Sequence, residues 1–273
     1  MLRMETESGW LLITHPDHAR LAGDFAAAWG NEQFCSPEPR SRVLKGITCH
    51  DDGWAARDAQ PTITREGKPS AFSIELVGKY SAFEEIDLDQ YLAVRQGAVQ
   101  NMAADDPYAA LLISMHTYSL LTQHADRSTI AAADLPLLDR FLEHQQTVQK
   151  RLRTTIDEDA SLVAEEKSEQ AIQQNFHLLQ ACDNLSLLSC VAYSQPANLL
   201  HPLPLRSGGA SEVKVQPMSM RQFRLVPWPF FYPELTFQLP ARHVEGKTFA
   251  APEALAEAFS DAEVLHLPVT LVQ

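Results

Sequence analysis

The sequence predicts a mainly α protein: a helical domain over residues 1–200 carrying a β-rich extension over residues 201–273. Three observations predict it. Apolar residues recur at steps of three and four through most of the first 200 positions; after Pro202 the texture turns to short proline-punctuated, β-branched segments; and polar side chains able to hold a metal sit on several of the helical faces.

In chain order, Trp10 to Thr14 reads as a short apolar strand, and Pro16 with Asp17 opens a helix through Leu21, Phe25 and Trp29 that stops at Gly30. Beyond a loop around Pro37 and Pro39, a second helix carries Val43, Ile47, His50, Asp51 and Trp54 on one face. Asp58 to Ser70, with Pro61, Gly67 and Pro69, lacks apolar periodicity and reads as a loop of the kind that shapes site entrances. Helical patterns then run over Phe83–Ala104, Pro107–His124, Leu135–Ile156 and Leu162–Tyr193, for roughly six helices in all. Strands are predicted over Glu212–Gln216, Arg221–Val226, Glu234–Leu239 and Val264–Val272, and the apolar cluster from Pro227 to Phe231 reads as a plug packing this extension on the helices.

Composition narrows the function classes. A 273-residue chain that is 45% hydrophobic buries a substantial core. No stretch approaches the ~18 consecutive apolar residues of a membrane span, and Glu5 and Glu7 break any signal pattern, so the reading is cytoplasmic with no membrane partner. A formal charge of -13 without a basic stripe speaks against nucleic acid and an anionic membrane, and for a small molecule or another protein, a small-molecule substrate being the expected partner. Cys35, Cys49, Cys182 and Cys190 show neither a disulfide framework nor zinc-finger spacing. There is no G-x-S-x-G elbow, no H-E-x-x-H helix and no G-x-G-x-x-G turn, and the Ser207–Ser211 loop lacks the context of a phosphate cradle.

The chemistry concentrates elsewhere. In the last long helix the apolar seam of Ile172, Phe176 and Leu179 meets Asp183 before Leu187 and Cys190, so a carboxylate stands where a hydrophobe is expected and needs a partner. His116 lies between Leu112 and Leu120, and His18 lies on the Leu21 side of its helix. A lone histidine on an apolar face is usually a hydrogen-bonded core residue. Three of them with two inward carboxylates, Asp51 and Asp183, make one buried metal site, because imidazole nitrogen and carboxylate oxygen are ligands for Fe, Mn or Zn and packed helices build sites this way. His124, two turns beyond His116, reaches only a different depth, and His144 and His177 fall on less apolar positions; all three read as surface or supporting residues.

A histidine, a later His-Asp doublet and a final aspartate, here His18, His50-Asp51 and Asp183, resemble the HD superfamily of metal-dependent phosphohydrolases. The resemblance implies an HD-like helical bundle, one or two divalent ions held by His18, His50, Asp51 and Asp183 with Asp51 catalytic, His116 as an added ligand of two-metal branches, and Asp51 bridging if a second ion sits near His116. The stretches HARLAG through AWG, HDDGW, DPYAALLISMH, CDNLSLLSC and PWPF, which span nearly the whole chain, resemble an uncharacterised bacterial family catalogued as domain of unknown function 3891. Many HD phosphohydrolases read H-D-x-G-K, whereas Trp54 stands at the lysine position here.

The expected function is a metal-dependent hydrolase of a small-molecule phosphoester, with metal-bound water as the nucleophile. Trp54, Arg57 and Lys68 are candidate substrate contacts, and Arg65 is a further loop cation. The alternatives are a di-iron oxygenase and a metal-binding or regulatory module without turnover.

Overall fold

A computed structural model describes residues 1–74, 77 and 87–273. The chain opens with two strands, β1 (Leu2–Glu5) and β2 (Gly9–Ile13), followed by helix α1 (His15–Ala28). Thr14 caps α1 by accepting from the Asp17 amide at 3.1 Å, with Pro16 in the first turn. Helix α2 (Arg40–Thr48), a 3-10 turn (Asp52–Trp54) and the short α3 (Ala55–Asp58) follow. Then come α4 (Leu88–Asp105), α5 (Pro107–Ser119) running into a π turn (Leu120–His124), α6 (Leu135–Glu158) and α7 (Glu169–Cys190). The remainder is β3 (Ala197–Asn198), β4 (Leu203–Pro204), β5 (Ala210–Ser211), β6 (Lys214–Ser219), β7 (Gln222–Val226), β8 (Glu234–Glu245), α8 (Pro252–Asp261) and β9 (Val264–Val272).

The expected mainly α, HD-like bundle with a β-rich extension is corrected by this architecture. Among the described residues a curled seven-stranded sheet with the order β1-β2-β8-β9-β7-β6-β3 is as large a feature as the helices. Only β7 and β9 pair in parallel, while the other neighbours are antiparallel. Strands from the first residues are thus continuous with those from the last, Trp10 facing Val244 and Leu12 facing Arg242 across β2 and β8. The first strand, Leu-Arg-Met-Glu, is too short for alternation to show in the sequence.

β2 lies between two layers. Leu11 and Ile13 face the main core with Leu21, Phe25 and Leu185, whereas Trp10 and Leu12 face a second cluster with Val244, Leu255 and Phe259 of α8. Burial on both faces is why its sequence is uninterruptedly apolar. Phe25 of α1 meets Phe237 of β8 edge-to-face at 5.0 Å, which seats the helices on the sheet. Of the Pro227–Phe231 cluster, Trp228 to Phe230 pack inward while Phe231 is exposed: Phe230 contacts Trp29 edge-to-face at 5.5 Å, and Asn31 donates to the Trp228 and Phe230 carbonyls.

Three differences from the sequence reading have local causes. The α2 pattern ends at Thr48, so His50 and Asp51 lie beyond the helix in the bend before the 3-10 turn. The last helix begins at Glu169 rather than Leu162, because Ser168 caps it through the Ala171 amide at 3.1 Å. α8 went unpredicted in a stretch that otherwise reads as β. The predicted helix start from Phe83 to Ile86 lies outside the described residues. No helix among the described residues is long and apolar enough to cross a membrane.

Candidate metal centre

Four separate segments deliver the candidate ligands. α1 brings His18, the bend after α2 brings His50 and Asp51, α5 brings His116, and α7 brings Asp183; all five are buried. Close backbone approach makes this possible. A Cβ at Gly23 would lie 2.1 Å from Thr48 Oγ1, so α1 reaches α2 only through glycine. A Cβ at Gly53 would lie 2.9 Å from both the Val94 carbonyl oxygen and Ala98 Cβ, so α4 lies directly on the turn after the His-Asp pair.

The candidate ligand atoms form two overlapping groups, His18–His50–Asp51 and His50–His116–Asp183, each with its atoms within 4.8 Å of one another. His18 Nε2 is 3.1 Å from Asp51 Oδ2, His50 Nε2 is 3.3 Å from Asp183 Oδ1, and His116 Nε2 is 3.8 Å from Asp183 Oδ2.

Hydrogen bonding behind the rings decides their tautomers. His50 Nδ1–H donates to the Ile47 carbonyl at 2.7 Å, a bond that also caps the end of α2. The Ser186 hydroxyl donates to the Asp183 carbonyl at 2.8 Å, so its oxygen accepts from His18 Nδ1–H at 2.9 Å. Both Nε2 atoms therefore turn inward, as in metal-binding histidines held by a carbonyl or hydroxyl at the far nitrogen. A lone pair facing a carboxylate oxygen at this range requires a proton or a metal cation between them.

The electrostatics express the same need. Burial alone would lower the His50 pKa, but Asp51 and Asp183 outweigh it and raise it to about 9, so the ring carries the missing positive charge as a proton. Burial opposes ionisation of Asp183, yet the His50 hydrogen bond and charge hold its pKa down to about 2. Asp51 is also held low, against its burial, chiefly by Arg95. Burial pushes His116 down to about 3, so that ring is neutral, and its buried Nδ1 has no hydrogen-bond partner among the described residues. A neutral imidazole with Nε2 toward the ionised Asp183, in a cluster with His18, His50 and the ionised Asp51, is a donor set that fits a divalent cation.

A cavity of about 200 Å³ opens on this cluster, lined by His18, Asp51, His116 and Asp183 together with Arg95 and Asn184. Arg95 donates through Nη1 to Asp51 Oδ1 and through Nε to the Tyr91 hydroxyl at 3.3 Å, and lies 5.3 Å from each of the Trp54 and Tyr91 rings. Trp54 is buried behind this layer and stacks on His15 at 4.9 Å. Arg57 lies 5.5 Å from the Trp54 ring centroid, Lys68 pairs with Glu66 at 2.8 Å, and Arg65 is exposed; neither Trp54 nor any of these three lines the cavity. His124 does line it, while His177 stacks on His201 at 4.1 Å outside the ligand group and His144 is exposed.

Sequence reasoning missed Arg95, His15 and Ser186. Arg95 had a signal: with Leu88, Tyr91, Leu92 and Val99 it completes the buried stripe of α4, the same anomaly that singled out Asp183. His15 and Ser186 had none, since each takes its role from partners distant in sequence.

No curated protein matches the chain, and no solved structure matches it. Residues 1–246 match a family described as "Protein of unknown function (DUF3891)". With nine-tenths of its length matched, the chain belongs to the DUF3891 family.

Proposed function

We propose that this protein is a metal-dependent hydrolase acting on a small-molecule phosphoester, with His18, His50, Asp51, His116 and Asp183 as ligands of a divalent Fe, Mn or Zn ion. The observation that carries the reading is the inward turn of two tautomer-fixed imidazoles onto two buried, ionised carboxylates at the floor of a cavity. The order His18, His50-Asp51, Asp183 is also that of HD phosphohydrolases, which the proposal shares as a ligand pattern and not as a fold.

A divalent ion held by His18, His50, Asp51, His116 and Asp183 would supply water acidification near neutral pH and Lewis-acid stabilisation of phosphoryl charge. The chain's own groups do the rest. His18 and His50 keep Nε2 toward the ion because Ser186 and Ile47 hold their other nitrogens. Asp51 and Asp183 offset the ion's charge, and the apolar walls at Leu2, Phe72, Leu120 and Leu187 limit competing water. For a phosphate monoester the water oxygen would bond to phosphorus as the ester P–O bond breaks, one water proton would end on the departing alkoxide oxygen, and the products would be the free alcohol and inorganic phosphate. The cavity volume fits a small molecule, and the chain's charge of -13 disfavours a polyanion.

Two measurements test this. Purified protein is expected to carry stoichiometric transition metal that Asp183→Ala loses; metal content that is absent, or unchanged in the variant, removes the site. On a phosphoester panel, the wild type is expected to exceed Asp51→Ala by a hundredfold or more, on the order of the loss of a principal transition-state-stabilising group. Equal rates would remove hydrolysis.

A further inference from the structure

The two ligand groups share one residue. His50 belongs to both, its Nδ1 is committed to the Ile47 carbonyl, and Nε2 is left with a single electron pair for a single ion. Two ions could still be joined by a carboxylate spanning them, and Asp51 is placed for that. Its Oδ2 faces His18, but its Oδ1 is held by Arg95.

Arg95 is fixed on every side. Tyr91 takes its Nε, the Trp54 and Tyr91 rings flank the guanidinium, and Asp51 takes Nη1. Its charge is permanent, because a guanidinium stays protonated throughout the working pH range of proteins. These contacts engage Nε and Nη1, no hydrogen bond from Nη2 is made among the described residues, and Arg95 lines the cavity. One divalent ion added to two carboxylates and this guanidinium leaves the floor with a small positive charge, suited to one anionic group; two ions would leave a large buried excess.

We propose that the centre holds one divalent ion, that the Arg95 guanidinium occupies the place of a second, and that its free edge binds an anionic oxygen of the substrate. The ion count rests on the metal reading above; the role of Arg95 as anion receptor does not.

The full chain, stripped of metal, is titrated with Mn²⁺ and followed by electron paramagnetic resonance and by elemental analysis. One equivalent with an uncoupled spectrum is expected; two equivalents with a coupled spectrum overturn the single-ion assignment. Inorganic phosphate is then titrated calorimetrically into metal-free and Mn²⁺-loaded protein. Arg95→Gln is expected to weaken phosphate binding about tenfold or more in both states, as loss of a charged hydrogen bond does. Arg95→Lys, with the charge but not the fork, is expected to recover part of it. Unchanged phosphate affinity in a folded Arg95→Gln protein, or no phosphate binding by the wild type, overturns the receptor role. Should the Gln variant not fold, crystals of the wild type soaked in Mn²⁺ and phosphate decide: one anomalous peak with phosphate against Arg95 supports the proposal, and two peaks or phosphate elsewhere overturn it. Failure to bind Mn²⁺ would remove the metal reading, leaving the metal-free phosphate titration to judge Arg95 alone.

Discussion

Behind the centre, Asp58 is buried and accepts from the His15 amide at 2.5 Å, from His15 Nδ1 at 2.9 Å and from the Met1 amino group at 3.0 Å. Burial drives the His15 pKa down to about 4, from 6.5. The folded state therefore prefers the neutral ring, and its stabilisation is complete above pH 6.5 and lost as pH falls from there toward 4. At pH 5 the loss amounts to about 2 kcal/mol. Asp58 acts at lower pH and in the same direction: its pKa is depressed below 3.8, chiefly by His15 acting against burial, so its contribution fades as that range is crossed downward. Denaturant unfolding at pH 7 and pH 5 is expected to show a fall in wild-type stability that His15→Gln reduces by about 2 kcal/mol. Equal slopes would mean that His15 is not neutral in the fold. Sequence reading reached His18, His50, Asp51, His116 and Asp183 because each interrupts or borders an apolar stripe. It did not reach His15, which stands at a helix start where periodicity has no preceding turn to be measured against.

Elements set the distances between these residues, and glycine marks where two elements touch. Gly53 admits α4 to the turn after Asp51, which is how Arg95 arrives at that carboxylate. Gly53→Val is expected to cost about 1–3 kcal/mol through overpacking and to weaken phosphate binding together with stability. Gly97, two residues beyond Arg95 on α4, has open space at its Cβ position, and Gly97→Ala is expected to stabilise by about 0.5–1 kcal/mol with phosphate binding intact. Thermal or denaturant melts alongside phosphate titration separate the two. Helices α1 and α5 were legible because Pro16 and Pro107 stand in their first turns beside Thr14 and Asp106, which cap them. The end of α2 was not, since the apolar spacing of Val43, Ile47 and Trp54 continues through a bend that His50 closes from its side chain.

At the scale of the molecule, the sequence showed a change of texture near residue 200 but not that the sheet reaches across it. β2 finds β8 through register alone, and nothing local to residues 9–13 names a partner beyond residue 233. Leu255 and Phe259 of α8 also cover Trp10 and Leu12, so residues 1–200 by themselves leave one face and one edge of β2 bare. The full chain is expected to unfold in a single cooperative transition by circular dichroism, and the 1–200 fragment to show none; a cooperative melt of the fragment would contradict this. The same pairing imposes an order in time. About 220 residues separate β2 from β8, so at ribosomal rates the strand Gly-Trp-Leu-Leu-Ile waits roughly ten to forty-five seconds for its neighbour to be made. Through that interval an apolar edge stands open to other nascent chains, and dilution or a holding chaperone becomes part of how this protein reaches its native state.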